Sequence, residues 1–199
     1  MRKPGKRAFR AWYNVMALLA SLFVCLFHRP VFSGKDNLPD GPMILCPNHT
    51  KWYDPILVGR ALWPGRTLRY MSKAELFRSR FLSFFLYRMG LFPVNRGTSD
   101  VSALKTAVDF LKDGEAILVF PEGTRTQTDG QVRPKAGAVK IAQWSGAPLV
   151  PVYLPKQRRF LGPIPVIIGE PYFPDEKTAG HTEQAQDLMD RIYALRQVI

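Results

Sequence analysis

A chain of 199 residues with 46% hydrophobic content has room for one domain around one core, and it is too apolar to be disordered. Its net charge of +12 points to an anionic partner: phospholipid headgroups, phosphorylated substrates, an acidic carrier protein or nucleic acid. Two cysteines, Cys25 and Cys46, exclude a disulfide framework, and the scattered His28, His49 and His181 exclude a metal site recognisable by spacing.

The chain opens on Arg2, Lys3, Lys6, Arg7 and Arg10 with no acidic residue, then runs nearly uncharged over residues 12–27. A cleaved signal peptide shares that layout, but Phe27-His28-Arg29-Pro30 lacks a small-residue cleavage site. An apolar run of about 16 residues is short for a span, and a span would leave the basic leader inside and carry the rest of the chain outside. Arg7, Asn14, Ser21 and His28 recur every seven residues as a narrow polar seam. The expectation is a helix lying within the cytoplasmic leaflet, with residues 1–30 as a membrane-associating segment and residues 31–199 as the folded domain.

Residues 34–41 read as a loop, 42–46 as a buried strand and 54–63 as a helix. A short strand follows at 67–71, then a helix over 74–89 crowded with Phe77, Phe81, Phe84 and Phe85. Such aromatics are more often core; beside a membrane anchor they could also wall an acyl tunnel or touch lipid. Residues 91–94 form a strand, and 99–112 an amphipathic helix with Val101, Leu104, Val108 and Leu111 on one face, capped by Ser99 or Asp100 and ended by Gly114. A strand at 115–120 and a helix at 136–144, ended by Gly146, come next. Strands at 149–154 and 166–168 flank the basic loop Lys156-Gln157-Arg158-Arg159, and a last helix covers about 183–197. This alternation predicts an α/β class: a single domain with a largely parallel sheet flanked by helices, preceded by the N-terminal membrane-associating helix.

Two runs carry chemistry. In Asn48-His49-Thr50-Lys51-Trp52-Tyr53-Asp54, a short turn folds the carboxylate back onto the imidazole, which fixes the tautomer and frees the other nitrogen to take a proton. The plainer reading makes Asp54 a helix N-cap ahead of Pro55, and on these residues alone it is the stronger. In Phe120-Pro121-Glu122-Gly123-Thr124-Arg125-Thr126, proline and glycine end a strand, and a guanidinium with hydroxyls suits capture of a phosphate. A polar surface turn is the alternative. Cys46 precedes His49 by three residues, but on an extended strand the two side chains point apart, and a small buried cysteine is the preferred reading.

Together and in this order, the runs resemble the 1-acylglycerol-3-phosphate acyltransferase family of glycerolipid acyltransferases. His49 and Asp54 match its His-x4-Asp motif, Arg96 in Phe92-Pro93-Val94-Asn95-Arg96-Gly97 its second, Phe120 to Thr126 its third, and Val150-Pro151-Val152 its fourth. Lys73 falls where such enzymes often carry a basic residue, and the likeness covers roughly residues 35–155. Lys51, Asn95 and Thr126 depart from the pattern and bear on substrate preference.

The resemblance implies transfer of an acyl group from a thioester, on coenzyme A or acyl carrier protein, to the sn-2 hydroxyl of lysophosphatidate, giving phosphatidate in phospholipid biosynthesis. His49 is then the general base and Asp54 its orienting partner. Arg125 and Arg96 bind the acceptor phosphate, with Lys73 as a weaker third. Glu122 holds Arg125 or a substrate hydroxyl, beside Gly123 and Thr124. Lys135 adds charge, though a solvated lysine is its plainer reading. No cofactor or metal is expected, because a thiolate leaves readily. The expected partners are the two substrates and an anionic membrane surface on the cytoplasmic side, not nucleic acid. Other readings are acylation of another lysolipid or of glycerol phosphate, or a non-catalytic module that binds anionic membrane or nucleic acid. Such a module would have no use for the His49–Asp54 pair.

Overall fold

In the computed structural model, which describes residues 6–95, 100–175 and 180–198, the elements run α1 (Lys6–Phe27), β1 (Arg29–Ser33), β2 (Met43–Pro47), α2 (Asp54–Leu62), β3 (Leu68–Lys73), α3 (Arg80–Arg88), β4 (Leu91–Val94), α4 (Val101–Lys112), β5 (Ala116–Leu118), α5 (Gly137–Ser145), β6 (Leu149–Tyr153), β7 (Pro163–Ile168) and α6 (His181–Ala194). The strands form one seven-stranded sheet in the order β1-β7-β6-β2-β5-β3-β4. Every neighbouring pair is parallel except β6 with β7. The α/β class with a largely parallel, helix-flanked sheet is what the alternating pattern predicts.

The central strands are buried on both faces, so they read as continuous apolar runs. Their side chains still alternate between two cores. Ile44 and Cys46 of β2 pack with α4, α5 and α6, while Met43 and Leu45 pack with α1 and α2. On α4, Ala103, Ala107, Val108 and Leu111 are buried and Val101 is exposed. Asp100 caps this helix by accepting from the Ala103 amide at 3.0 Å; Ser99 lies outside the described residues. Gly146 ends α5 at φ 70°, a left-handed cap that suits glycine.

Three features differ from the sequence reading. First, β1 pairs with β7 at a sheet edge although residues 29–33 carry no strand pattern; an edge position tolerates Pro30. Second, the helix expected over 74–89 is broken. Ala74–Phe77 form a 3-10 turn, and Ser79 starts α3 by accepting from the Leu82 amide at 3.4 Å. Only Ser83 of α3 is buried and Phe81 is exposed, so its aromatics are not core. Third, Ser21 of the α1 polar seam is buried against the domain together with Phe9, Tyr13 and Val24. The outward face carries Trp12, Val15, Leu18, Leu19, Leu22, Phe23 and Leu26. By length and composition, Phe9–Phe27 could also cross a membrane.

Candidate active site

The parallel neighbours β6, β2 and β5 end at one edge of the sheet, and the loops leaving them build a single site. The Asn48 side chain ties two of these ends together. Its Nδ2 donates to Leu154 O at 2.9 Å, and its Oδ1 accepts from the Leu154 amide at 2.8 Å. His49 follows, and the turn after it returns Asp54 onto the ring, with Nδ1 3.1 Å from Oδ2. The Thr50 and Lys51 amides donate to the same Oδ2, each at 2.7 Å. Asp54 is therefore not a helix cap. Tyr53 occupies the N-cap position of α2 without a side-chain bond, and the carboxylate is turned back into the loop.

Asp54 is fully buried, which by itself would favour the neutral acid. The bond to His49, the Arg158 guanidinium and the two amides outweigh burial and hold the carboxyl below its usual value. With Nδ1 committed to Asp54, Nε2 is the ring nitrogen left for a substrate proton. The Phe120 ring stacks on His49 with centroids 3.8 Å apart, fixing the plane of the imidazole.

Glu122, leaving β5, is buried and braces the site. Its Oε2 accepts from the His49 amide at 3.2 Å and from Thr126 Oγ1 at 2.8 Å, and its Oε1 accepts from Tyr193 OH at 2.9 Å. Both oxygens are thus engaged by the protein rather than by Arg125. Thr124 and Arg125 are exposed, and among the described residues no acidic side chain pairs with Arg125. Gly123 turns the loop at φ 67°, where a β-carbon would meet Lys135 Cγ at 3.2 Å. Lys135 is exposed and its amide donates to Pro121 O at 2.7 Å. Lys73 is exposed at the end of β3, two strands from His49 on the same sheet edge. Arg96 lies outside the described residues.

Sequence reasoning missed Arg158, Lys156 and Tyr193. Arg158 leaves the β6 loop with its side chain 2% exposed, and Nη1 donates to Asp54 Oδ1 at 2.6 Å. Lys156 Nζ lies 2.8 Å from Asp129 and 3.4 Å from Thr126 Oγ1. The run of basic residues after the Val-Pro-Val strand was visible, but not which of them turns inward. Arg158 Nη2 and Thr50 Oγ1 are buried beside the pair with no partner among the described residues.

Residues 29–155 match the family model described as acyltransferase. The chain belongs to the acyltransferase family. It is 41% identical over 143 residues to the 1-acyl-sn-glycerol-3-phosphate acyltransferase of Bacillus subtilis, covering 69% of this chain and 70% of that one. A chloroplastic 1-acyl-sn-glycerol-3-phosphate acyltransferase of Brassica napus is 32% identical over 151 residues, 73% of this chain but 43% of that longer one. The crystal structure of the 1-acyl-sn-glycerophosphate acyltransferase of Thermotoga maritima shares the fold, with a TM-score of 0.66 at 21% identity over 96% of this chain and 78% of that one.

This acyltransferase carries an apolar groove of about 290 Å³ between α1, α2 and the β3–β4 edge of the sheet. Met16, Ala20, Ile56, Met71 and Leu91 line it, and it reaches Phe120, the ring stacked on His49. Such a lining suits a hydrocarbon chain. Among the described residues no group of three or more His, Cys, Asp or Glu is placed to hold a metal.

Cys46 is buried near the end of β2, its thiol donates to Ile44 O at 3.6 Å, and burial pushes the thiol well above its ordinary pKa. It is not a nucleophile in this setting. The acyltransferase with Cys46→Ala is expected to keep most of its turnover and to lose about 1 kcal/mol of stability from the removed sulfur. Quenching a reaction with radiolabelled thioester and finding label on Cys46 would reverse this assignment.

Proposed function

We propose that this enzyme transfers a fatty acyl group from an acyl thioester to the sn-2 hydroxyl of lysophosphatidate, giving phosphatidate. The observation that carries the reading is the buried His49–Asp54 pair at the end of β2, beside an apolar groove that reaches Phe120, the ring stacked on His49. The names of the relatives supply the acceptor. His49 Nε2 takes the proton as the hydroxyl oxygen attacks the thioester carbonyl carbon. Asp54 stabilises the imidazolium that forms. The carbon–sulfur bond breaks as the tetrahedral intermediate collapses, and the proton on His49 passes to the departing thiolate. Thr50 Oγ1 and Arg158 Nη2, buried without described partners, are the proposed donors for a developing oxyanion. The thioester is on coenzyme A or acyl carrier protein, both cytosolic, so the site faces the cytoplasm at the membrane with α1 in the leaflet.

Purified protein incubated with lysophosphatidate and a panel of acyl thioesters should yield phosphatidate. Absence of product with every donor, or a stronger reaction with glycerol phosphate, would displace this reading.

Arg125, exposed and unpaired with any described acid, is the leading candidate for the acceptor phosphate, with Arg96 and Lys73 beside it in the proposal. Arg125→Lys keeps the charge but loses the planar fork. It is expected to raise the Michaelis constant for lysophosphatidate by about tenfold while leaving that for the thioester within about twofold, as one bidentate bond is worth about 1.5 kcal/mol. Equal damage to both constants would assign Arg125 elsewhere.

A further inference from the structure

The connection from β6 to β7 leaves the site at Arg158 and runs out to a tip, Arg159-Phe160-Leu161-Gly162. Phe160 is 70% exposed and Leu161 59%. Leu161 also sits at φ 59°, the left-handed region where a β-carbon is crowded and glycine is the usual occupant. Water favours neither side chain and the backbone disfavours Leu161, so folding alone does not account for them. The tip is fastened to α1. The Leu161 amide donates to Phe27 O at 2.9 Å, and the Phe160 and Phe27 rings are 5.8 Å apart. From Phe27 the rings continue to Phe23, and from Phe23 to Trp52 at 6.3 Å. Trp52 is 58% exposed and only three residues past His49. Exposed Arg29 and Arg159 flank the tip, the Arg29 amide donating to Gly162 O at 3.4 Å.

We propose that the β6–β7 tip is a second bilayer contact, with Phe160 and Leu161 entering the same leaflet as α1 and Arg29 and Arg159 meeting anionic headgroups. Three observations select a bilayer as the occupant. The tip is continuous with the outward apolar face of α1, a helix of membrane length and composition. Its rim is cationic. The chain as a whole carries +12. Two contacts, α1 and the tip, would fix the tilt of the domain and hold His49 near the lipid surface, where an amphiphilic acceptor is presented. The proposal concerns binding and does not depend on which acceptor is acylated.

The test is the partition of the purified full chain onto vesicles of phosphatidylcholine with phosphatidylglycerol. Phe160→Ser with Leu161→Gly is expected to weaken partition by about tenfold. Leu161→Gly relieves the left-handed backbone, so the melting temperature should not fall on its account. Phe173→Ser is the control: Phe173 is 68% exposed but lies beside Tyr172, which bridges to Leu149 at the opposite end of β6. Because α1 could dominate partition, an environment-sensitive fluorophore on Phe160→Cys, in a Cys25→Ser background, gives a second readout. It should shift to the blue on vesicles and be quenched by bromolipid, whereas the same label on Phe173→Cys should do neither. A label at 160 that stays in water overturns the proposal, as does equal weakening by Phe173→Ser. A vesicle-free dimer abolished by Phe160→Ser would assign the tip to a second copy of the chain instead. None of these readouts requires turnover, so they stand apart from any failure to acylate lysophosphatidate.

Discussion

Replacing His49 with alanine is expected to lower turnover by on the order of a hundred- to ten-thousandfold, the range lost when a general base is removed. The fold should survive. Asp54 keeps the Thr50 and Lys51 amides and the Arg158 guanidinium, and Glu122 keeps its bond to the backbone amide of residue 49. The stability cost should be about 1–2 kcal/mol, from one hydrogen bond to a charged group and the stacking on Phe120. Turnover of lysophosphatidate and the thermal melting curve, measured on the same preparation, check both halves. Near-normal turnover in a folded His49→Ala protein would remove the histidine from the mechanism.

Asp54→Asn should damage both rate and stability, and the structure explains why. Each oxygen of Asp54 accepts only: Oδ2 from two amides and His49, Oδ1 from Arg158. An asparagine must turn its amide group toward one of these sets of donors, so one orientation opposes Arg158 and the other opposes the loop. It also leaves the Arg158 guanidinium buried without its counter-charge, a loss of about 3–5 kcal/mol. Had Asp54 been a helix cap, asparagine would have been nearly silent, because it caps as well as aspartate.

The pH dependence separates the charge from the shape. Asp54 is held below its usual pKa in the folded chain. It therefore contributes stability that is present above about pH 4, the unfolded value, and lost as pH falls through the lowered folded value. Asp54→Asn should be missing that acid-dependent contribution in urea unfolding at a series of pH values. Turnover measured well below the variant's melting temperature should still fall at least a hundredfold, since no charge remains to stabilise protonated His49. Wild-type turnover would leave Asp54 with an architectural role only.

Much of this was legible in the chain itself. The apolar runs of β2, β4, β5 and β6, the amphipathic face of α4, and the glycine that ends α5 follow from local periodicity and turn chemistry, which neighbouring residues set between themselves. The His49–Asp54 turn is local too, closed over five residues, but that spacing alone fits a helix cap better, and only the company of the other motifs selects the pairing. What local pattern could not decide is which distant groups meet. Arg158 reaches Asp54 across 104 residues because the sheet sets β6 beside β2, and Tyr193 reaches Glu122 across 71 because α6 packs against β6 and α5. The same holds for β1, whose proline-bearing segment becomes a strand only because β7 offers it an edge. The polar seam on α1 is visible in its sequence, but its direction is set by the domain the helix packs on. Burying Ser21 inward turns the apolar face out, a choice that depends on what covers the helix and not on its own sequence.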